Sequence, residues 1–109
     1  MFRKICVIIA AHNEKKHIYE LVKNVQKEPV HEIIVVNDGS SDTTESLAKK
    51  AGATVLTHIT NLGKGAAMKT GAAYAMQEGA DALIFLDGDG QHDPTEIPQF
   101  IKALRTKEF

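Results

Sequence analysis

The sequence has little of the chemistry that marks several classes of protein. Its 109 residues include one cysteine, Cys6, and no tryptophan. A single thiol cannot form a disulfide within the chain, and Cys6 lies in an apolar run. We therefore interpret it as a core residue of a protein from a reducing, cytoplasmic location. His17, His31 and His58 form no ligand pattern with Cys6, which argues against a zinc site.

A surplus of charge of either sign is also missing. Thirteen Lys and Arg residues stand against fourteen Asp and Glu residues, so the formal net charge is -1. This balance gives no reason to expect nucleic acid or an anionic membrane as a partner. The apolar runs are too short to span a bilayer, and the run after Phe2-Arg3-Lys4 is too short for a signal peptide.

Strand and helix patterns alternate along the chain. Apolar runs predict strands over residues 5–11, 32–37, 54–57 and 82–86. Amphipathic or alanine-rich segments predict helices over residues 15–27, 43–51 and 66–78, the second with Asp42 as its N-cap. A helix start signal at Asp93-Pro94-Thr95-Glu96 predicts a fourth helix, with an apolar stripe of Ile97, Phe100, Ile101 and Leu104.

This alternation is typical of an α/β fold. It predicts a doubly wound, mostly parallel four-stranded sheet in the order 3-2-1-4, with helices on both faces. A length of 109 residues suffices for one domain with one core, so residues 1–109 are expected to form a single domain.

Polar clusters follow three of the predicted strands, at the point where each strand ends. They are Asn13-Glu14, Asp38-Gly39-Ser40 and Asp87-Gly88-Asp89. In a doubly wound sheet, ligands bind at the carboxyl ends of the strands, in the crevice where the winding direction reverses. That crevice is expected between strands one and four, so the clusters predict a ligand site there.

The acidic loop after strand four suggests a cation. Asp87, Asp89 and Gln91 are two residues apart, so their side chains can point the same way in an extended segment. Two carboxylates about 4 Å apart repel by about 1 kcal/mol in water and about 4 kcal/mol near a protein surface. A hard cation such as Mg2+ or Mn2+ would remove that repulsion. The alternative is a Gly- and Asp-rich turn that starts a helix.

A cation held by carboxylates in such a crevice commonly also binds phosphate oxygens, which favours a nucleoside diphosphate as ligand. Asp38 could accept a hydrogen bond from the base or the ribose, His12 could stack on the base, and Lys64 could neutralise phosphate. Gly63 and Gly65 would let backbone N–H groups approach that phosphate. Taken singly, these residues also fit a turn aspartate, a solvated histidine and a surface lysine.

Two common nucleotide-binding motifs are absent from the sequence. No G-x-x-x-x-G-K-[ST] occurs, and no G-x-G-x-x-G follows the first strand, so neither a P-loop protein nor a dinucleotide-binding Rossmann domain is indicated. A doubly wound domain of flavodoxin or receiver type, with acids that bind Mg2+ for another purpose, is a further alternative. The loop of residues 61–67 and the segment Gln91-His92-Asp93-Pro94 argue against it.

Four motifs in order carry a family resemblance. They are Val7-Ile8-Ile9-Ala10-Ala11-His12-Asn13-Glu14, Glu32-Ile33-Ile34-Val35-Val36-Asn37-Asp38-Gly39-Ser40-Ser41-Asp42, Asn61-Leu62-Gly63-Lys64-Gly65-Ala66-Ala67 and Phe85-Leu86-Asp87-Gly88-Asp89-Gly90-Gln91-His92-Asp93-Pro94. With them the chain resembles the family 2 glycosyltransferases, which have the GT-A nucleotide-sugar-binding fold. Within that family it looks most like the dolichol- or polyprenol-phosphate mannosyl- and glucosyltransferases. The resemblance implies the Rossmann-like first half of a GT-A domain.

The resemblance also implies roles for individual residues. Asp87 and Asp89 match the D-x-D motif that holds Mg2+ or Mn2+ on the diphosphate of a sugar nucleotide and would be the catalytic pair. Gln91 matches a further metal ligand, and Asp38 matches the carboxylate that reads the base. The other substrate-binding positions implied are Ala10, His12, Glu14, Gly39, Lys64 and Gly88.

The reaction implied by the resemblance is an inverting transfer of a hexose from GDP-mannose or UDP-glucose. The acceptor implied is polyprenol or dolichol phosphate, which is already anionic and needs little help from a general base. A peripheral position at the cytoplasmic face of the membrane is consistent with such an acceptor. The cation would act as a Lewis acid on the departing diphosphate.

The chain departs from the family pattern in three respects. Ala10-Ala11-His12-Asn13-Glu14 stands where P-A-Y-N-E is usual, and Asn37 replaces the first Asp of a D-D-G-S motif. Family catalytic domains are also considerably longer, so we expect a chain truncated at its C-terminus, without the acceptor half. Strand four would then have an uncovered edge, open to self-association or to a second half. A catalytically inactive nucleotide-binding or regulatory module is the alternative function.

Overall fold

A computed structural model of the protein describes residues 3–89 and 97–99. The strands in this part of the chain are β1 (Ile5–Ala11), β2 (Glu32–Asp38), β3 (Thr54–His58) and β4 (Ala82–Asp87). The helices are α1 (Ile18–Val25), α2 (Thr44–Ala51) and α3 (Lys64–Gln77). The strands pair in parallel, in the order β3-β2-β1-β4. This confirms the predicted doubly wound α/β fold.

The central strand β1 shows why a continuous apolar run is needed. Each of its seven residues is buried. Val7 and Ile9 face a core shared with α1 and α2, whereas Cys6 and Ile8 face a second core shared with α3. A strand that is covered on both faces has no position for a polar side chain along its length. The cysteine is buried in the core, as predicted.

The direction of winding explains where the crevice lies. The chain crosses the sheet from β1 to β2 to β3, and then returns past β1 to form β4. Because crossovers are right-handed, α1 and α2 pack on one face and α3, which leads back, packs on the other. The reversal places the crevice between the carboxyl ends of β1 and β4.

Two helices begin two or three residues away from the predicted start, and α2 begins one residue later than predicted. The helix predicted from residue 15 begins at Ile18, because the preceding residues form a turn in which the N–H groups of His17 and Ile18 donate to the carbonyl of Glu14 at 3.0 and 2.9 Å. The helix predicted from residue 66 begins at Lys64, with Gly63 as its N-cap. The α3 N-terminus therefore lies directly against the glycine-marked loop.

The N-cap predicted for α2 was wrong by one residue. Thr43, and not Asp42, occupies that position, and its side chain makes no capping hydrogen bond. The carboxylate of Asp42 still accepts the N–H of Thr44 at 2.9 Å. It therefore satisfies a backbone donor in the first turn of α2, although it lies one position before the N-cap. It also accepts the N–H of Lys15 at 3.3 Å, so it joins α2 to the loop after β1.

Several predictions fall outside the described residues. They are the metal ligand Gln91, the helix start at Asp93 and the stripe residues Phe100, Ile101 and Leu104. Residues 97–99 are helical, and Ile97 is buried in the core that includes α1 and α2. In the described part of the chain no helix is long and apolar enough to cross a membrane.

The face of α3 toward the sheet is made of small residues. Ala67, Gly71 and Ala75 recur every four positions and are buried. A Cβ added at Gly71 would lie 2.4 Å from Cγ2 of Ile8 and 3.1 Å from Cγ2 of Val36. The helix therefore lies closer to β1 and β2 than a larger residue at position 71 would permit.

We expect Gly71→Ala to lower the free energy of unfolding by about 1–3 kcal/mol, because the added methyl group overpacks this contact. Gly65→Ala in the same helix is the matched control, since a Cβ there has no heavy atom within 4 Å. That control should leave the free energy unchanged or raise it by up to about 1 kcal/mol. Urea denaturation measures both, and equal effects would contradict the close helix-to-sheet contact.

Strand β4 forms one edge of the sheet as the structure describes it. Its residues alternate, with Ile84 and Leu86 buried against α1 and α2, whereas Phe85 on the opposite side is 41% exposed. An edge strand that carries an apolar side chain is suited to pairing with another strand. Association through this edge stays a prediction.

If this edge associates, Phe85→Ser should lower the average mass of the protein at high concentration, measured by light scattering. Met76→Ser is the matched control, because Met76 is 67% exposed on α3 and should not affect the β4 edge. A wild-type protein that stays a monodisperse monomer at high concentration would contradict strong self-association.

Candidate functional site

A cavity of about 140 Å³ opens at the predicted crevice, at the carboxyl ends of β1, β2 and β4 and beside the loop before α3. It brings together seven of the residues predicted to meet a ligand or a cation. The residues that line it are Ala10, Ala11, His12, Glu14, Asp38, Asn61, Gly63, Lys64 and Asp87. Gly39, Gly88 and Asp89 belong to the same loops but do not line this cavity.

The carboxylate of Asp38 is buried and joins three parts of the chain. Oδ1 accepts the N–H of Leu62 at 2.9 Å, and Oδ2 accepts the N–H of Gly63 at 2.8 Å. Oδ1 also lies 2.7 Å from Nδ1 of His58, the residue directly opposite Asp38 on β3. The end of β2 therefore holds the loop between β3 and α3.

These bonds decide the charge of Asp38. Burial opposes ionisation, but the hydrogen bonds from the Leu62 N–H, from His58 and from the Gly63 N–H outweigh it and lower the pKa of Asp38 below its ordinary value. An ionised carboxylate has about four lone-pair sites, and contacts among residues 3–89 and 97–99 use three of those on Asp38. These contacts leave about one acceptor site of Asp38 unused.

Gly39 packs closely against the loop between β3 and α3. Its φ is +68°, a left-handed conformation, and a Cβ at this position would lie 2.4 Å from the N of Asn61 and from the carbonyl carbon of Thr60. The structure thus gives Gly39 a steric role in seating the loop. Direct contact with a substrate, implied by the family resemblance, stays a prediction for this residue.

The loop after β1 is tied to the loop after β2. Nδ1 of His12 lies 2.8 Å from the carbonyl oxygen of Asp38, to which a ring N–H can donate. The N–H of Asn13 donates to Oγ of Ser40 at 2.9 Å, and Oδ1 of Asn13 accepts the N–H of Ser41 at 2.8 Å. These bonds hold the His12 ring at the mouth of the cavity, where the predicted stacking on a base would occur.

The carboxylates of Glu14, Asp87 and Asp89 lie close enough to influence one another. Burial raises the pKa of Glu14, and the charges of Asp89 and Asp87 raise it further, against the opposing effect of His17. The ammonium of Lys64 forms an ion pair with Oδ2 of Asp87, and this hydrogen bond raises the pKa of Lys64. Acidic and basic groups therefore meet where the end of β4 and the start of α3 come together.

Gly88 fixes the acidic loop against β1. Its N–H donates to the carbonyl of Ala10 at 2.8 Å, and a Cβ at Gly88 would lie at that same distance from this oxygen and 3.0 Å from Cβ of Ala11. Only glycine permits this approach without a shift of the backbone. Gly88 thereby holds the loop that carries Asp87 and Asp89 close to β1.

The chemistry of these groups fits a hard divalent cation. Asp87, Asp89 and Glu14 supply carboxylate oxygens, which Mg2+ and Mn2+ prefer, and their mutual repulsion would fall if a cation bound. Among residues 3–89 and 97–99, no group of three or more His, Cys, Asp or Glu is already arranged as a metal site. The third predicted ligand, Gln91, lies outside those residues, so the ligand set stays a prediction.

The relationship of this chain to known proteins decides its family. A family model described as glycosyl transferase family 2 matches residues 6–109. The chain belongs to glycosyl transferase family 2. This confirms the resemblance drawn from the four sequence motifs.

Two relatives show how much of a family 2 protein is present. An uncharacterised protein of Methanocaldococcus jannaschii is 42% identical over 101 residues, which is 93% of this chain and 42% of that protein. The UDP-N-acetylglucosamine–dolichyl-phosphate N-acetylglucosaminyltransferase of Methanococcus voltae is 33% identical over 117 residues, which is 92% of this chain and 47% of that enzyme. The chain spans less than half the length of either relative.

A solved structure supports the assignment of the fold. Glucosyl-3-phosphoglycerate synthase from Mycobacterium tuberculosis, crystallised with Mn2+, UDP-glucose and phosphoglyceric acid, superposes with a TM-score of 0.82 at 29% identity. The match covers 97% of this chain and 40% of that one. The present chain therefore has the fold of part of a GT-A glycosyltransferase.

In this family 2 chain, sequence reasoning missed several residues of the site. The sequence excludes His58 as a zinc ligand and assigns no separate role to it, to Asn61, which lines the cavity, or to Thr70, whose Oγ1 lies 2.8 Å from Nε2 of His58. His58 lies at the end of β3, and the parallel pairing of β2 with β3 sets it opposite Asp38. That register follows from how the strands pair and cannot be read from the spacing of residues along the chain.

We expect Asp38→Asn to lower the free energy of unfolding at pH 7 by about 1.5–3 kcal/mol, because it removes the charge from a buried acceptor of several hydrogen bonds. The folded pKa of Asp38 is depressed, so this stabilisation is complete above the unfolded value of about 3.9 and is lost as the pH falls below it.

Urea denaturation of the wild type and of Asp38→Asn across this pH range measures the effect. Glu20→Gln, at an exposed position on α1, is the control and should change stability little at any pH. A difference between wild type and Asp38→Asn that persists undiminished well below pH 3.9 would contradict this account of Asp38.

Proposed function

We propose that this chain forms the donor-binding part of a metal-dependent glycosyltransferase, which takes a hexose from a nucleoside-diphosphate sugar. The observation that carries the proposal is the crevice itself. It gathers a buried carboxylate, a lysine and an acidic loop at the carboxyl edge of a doubly wound sheet, in a chain of family 2. Recognition of a base, a diphosphate and a cation requires groups of these three kinds.

In the proposed complex the nucleoside lies over the ends of β1 and β2. The His12 ring, held by the carbonyl of Asp38, packs against the base, and the Asp38 carboxylate accepts an N–H of that base. Ala10 and Glu14 form the wall of this pocket. Lys64, at the first turn of α3, exchanges its bond with Asp87 for the diphosphate, whose charge the helix N-terminus also favours.

Asp87 and Asp89, with Gln91 as the further predicted ligand, would hold Mg2+ or Mn2+. When bound, the cation would supply Lewis-acid stabilisation of the negative charge that develops on the departing diphosphate. Within the chain, the hydrogen bond from the Gly88 N–H to the Ala10 carbonyl holds the loop that carries both carboxylates against β1. The Mn2+ in the M. tuberculosis synthase complex supports this part of the proposal.

We propose UDP rather than GDP as the nucleotide. The bonds of Asp38 to Leu62, Gly63 and His58 leave about one of its acceptor sites for a ligand. Uracil presents one N–H on its recognition edge, whereas guanine presents an N–H and an amino group that together call for two acceptors. The UDP-glucose in the M. tuberculosis synthase and the UDP-sugar in the name of the M. voltae enzyme support this choice.

The proposed acceptor is a polyprenol or dolichol phosphate, which the name of the M. voltae relative supports. An acceptor phosphate oxygen would form a bond to the anomeric carbon as the bond to the diphosphate oxygen breaks on the opposite face, which inverts the configuration. Such a lipid acceptor would bring the protein to the cytoplasmic face of a membrane. Because the chain spans less than half of its relatives, we expect donor binding from these residues and inefficient transfer without further residues.

The expected result of a calorimetric titration is Mn2+-dependent binding of UDP, with weaker binding of GDP. Asp87→Asn and Asp89→Asn should each lower the affinity for UDP with Mn2+ by about tenfold or more, because each removes a charged oxygen ligand. Product formation from UDP-glucose and a polyprenol phosphate would distinguish a transferase from a binding or regulatory module.

Asp81→Asn is the matched control for this titration. The Asp81 carboxylate accepts the N–H groups of Arg3 and Lys4 at the amino ends of the strands, far from the cavity. Loss of its charge should therefore leave nucleotide affinity unchanged. Binding that is equally strong without Mn2+, or in Asp87→Asn, would contradict the metal-dependent site. Binding of GDP at least as tight as that of UDP would contradict the base preference.

A further inference from the structure

A chain of side chains runs from α3 through β3 to the end of β2. Thr70 on α3 places its Oγ1 2.8 Å from Nε2 of His58, and Nδ1 of His58 lies 2.7 Å from Oδ1 of Asp38. The side chains of His58 and Asp38 are 12% and 5% exposed. A series of this kind, largely closed to water, holds its members in one geometry far better than an exposed pair does.

The hydrogen-bonding pattern assigns a direction to the contact between His58 and Asp38. An ionised carboxylate only accepts, so the ring N–H at Nδ1 of His58 donates to Asp38. The Thr70 hydroxyl, which can donate or accept, bonds the other ring nitrogen, Nε2. Asp38 thereby sets a proton on Nδ1, and Thr70 fixes the rotation of the ring.

The far end of this series holds the nucleotide side of the cavity. Asp38 binds two consecutive N–H groups, those of Leu62 and Gly63, and α3 begins at the next residue, Lys64. Lys64 in turn reaches Asp87 across the crevice. A change in the Asp38 rotamer would therefore move the loop, the first turn of α3 and the ammonium group together.

We propose that His58 is a positioning residue of the nucleotide site, and that Thr70 fixes its ring. His58 holds Asp38 in the conformation that ties down Leu62 and Gly63, and thereby sets where Lys64 meets a diphosphate. This inference rests on the proposed function for its ligand. The loop geometry that it assigns to His58 belongs to the chain itself and does not depend on a ligand.

Four variants separate positioning from general stability. His58→Phe removes both ring nitrogens, whereas His58→Asn keeps an amide N–H that can reach Asp38 from nearly the position of Nδ1. Thr70→Val removes the hydroxyl that holds the ring and retains the shape of the side chain. Thr57→Val is the matched control, because the Thr57 hydroxyl, one residue before His58, donates to Glu45 and takes no part in the series.

The first readout is the amide N–H resonances of Leu62 and Gly63 in the protein without ligand. An N–H that donates to a carboxylate resonates downfield and exchanges slowly with solvent. In His58→Phe we expect both resonances to move upfield and both amides to exchange faster. His58→Asn and Thr57→Val should leave them close to wild type, and Thr70→Val should shift them in the same direction as His58→Phe, by less.

The second readout is the affinity for UDP with Mn2+, measured by calorimetry. His58→Phe should weaken binding by about tenfold or more, which corresponds to the loss of one hydrogen bond to a charged group. His58→Asn should restore binding to within about threefold of wild type. A residue that only stabilises the fold would not show this rescue, because any variant that folds would then bind alike.

The two readouts also keep this inference separate from the proposed function. If wild type binds no nucleotide with Mn2+, the proposed function fails, and the amide resonances still test the role of His58. If the Leu62 and Gly63 resonances in His58→Phe match wild type, or if His58→Phe binds UDP as tightly as wild type does, the positioning role is overturned. Should His58→Phe not fold, as judged by circular dichroism, unchanged resonances in Thr70→Val would overturn it.

Discussion

The site depends on one buried carboxylate. Asp38 ends β2, where water is largely excluded, and a charge in such a place survives only if the protein supplies donors for it. The donors come from the backbone of Leu62 and Gly63 and from the ring of His58. Hydrogen bonds from these donors offset the cost of burying this charge and at the same time order the loop that leads into α3. The first residue of that helix is Lys64, which lines the crevice.

The loops at the carboxyl ends of the strands are bonded to one another in a ring around the cavity. The loop after β1 is bonded to the loop after β2 through Asn13 and Ser40, and the end of β4 is bonded to β1 through Gly88. Asp38 joins β2 to the loop before α3, and Lys64 closes the ring with Asp87. Because each loop is held by its neighbours, the groups that would meet a ligand are largely positioned before it binds.

Much of this arrangement could be predicted from the sequence, because it follows from local patterns. Unbroken apolar runs identify strands that are covered on both faces, and the alternation of strands and helices gives the winding order. The parts that failed depend on contacts between segments distant in sequence. Asp42 lies one residue before the N-cap, where its carboxylate accepts the N–H groups of Thr44 and of Lys15 on another loop. The partnership of His58 with Asp38 arises only once β2 and β3 are in register.

The amino ends of the strands, opposite the crevice, are held by contacts of their own. Asp81 accepts the N–H groups of Arg3 and Lys4, and Lys4 pairs with Glu32. Because β1, β2 and β4 are six or seven residues long, these amino ends lie roughly 20 Å from the crevice. The last residue of α3, Gln77, lies at this distant end and is exposed, whereas the nearby Gly79 has a φ of +87° that would strain any side chain. A dye attached at position 77 would therefore leave the ligand cavity as it is.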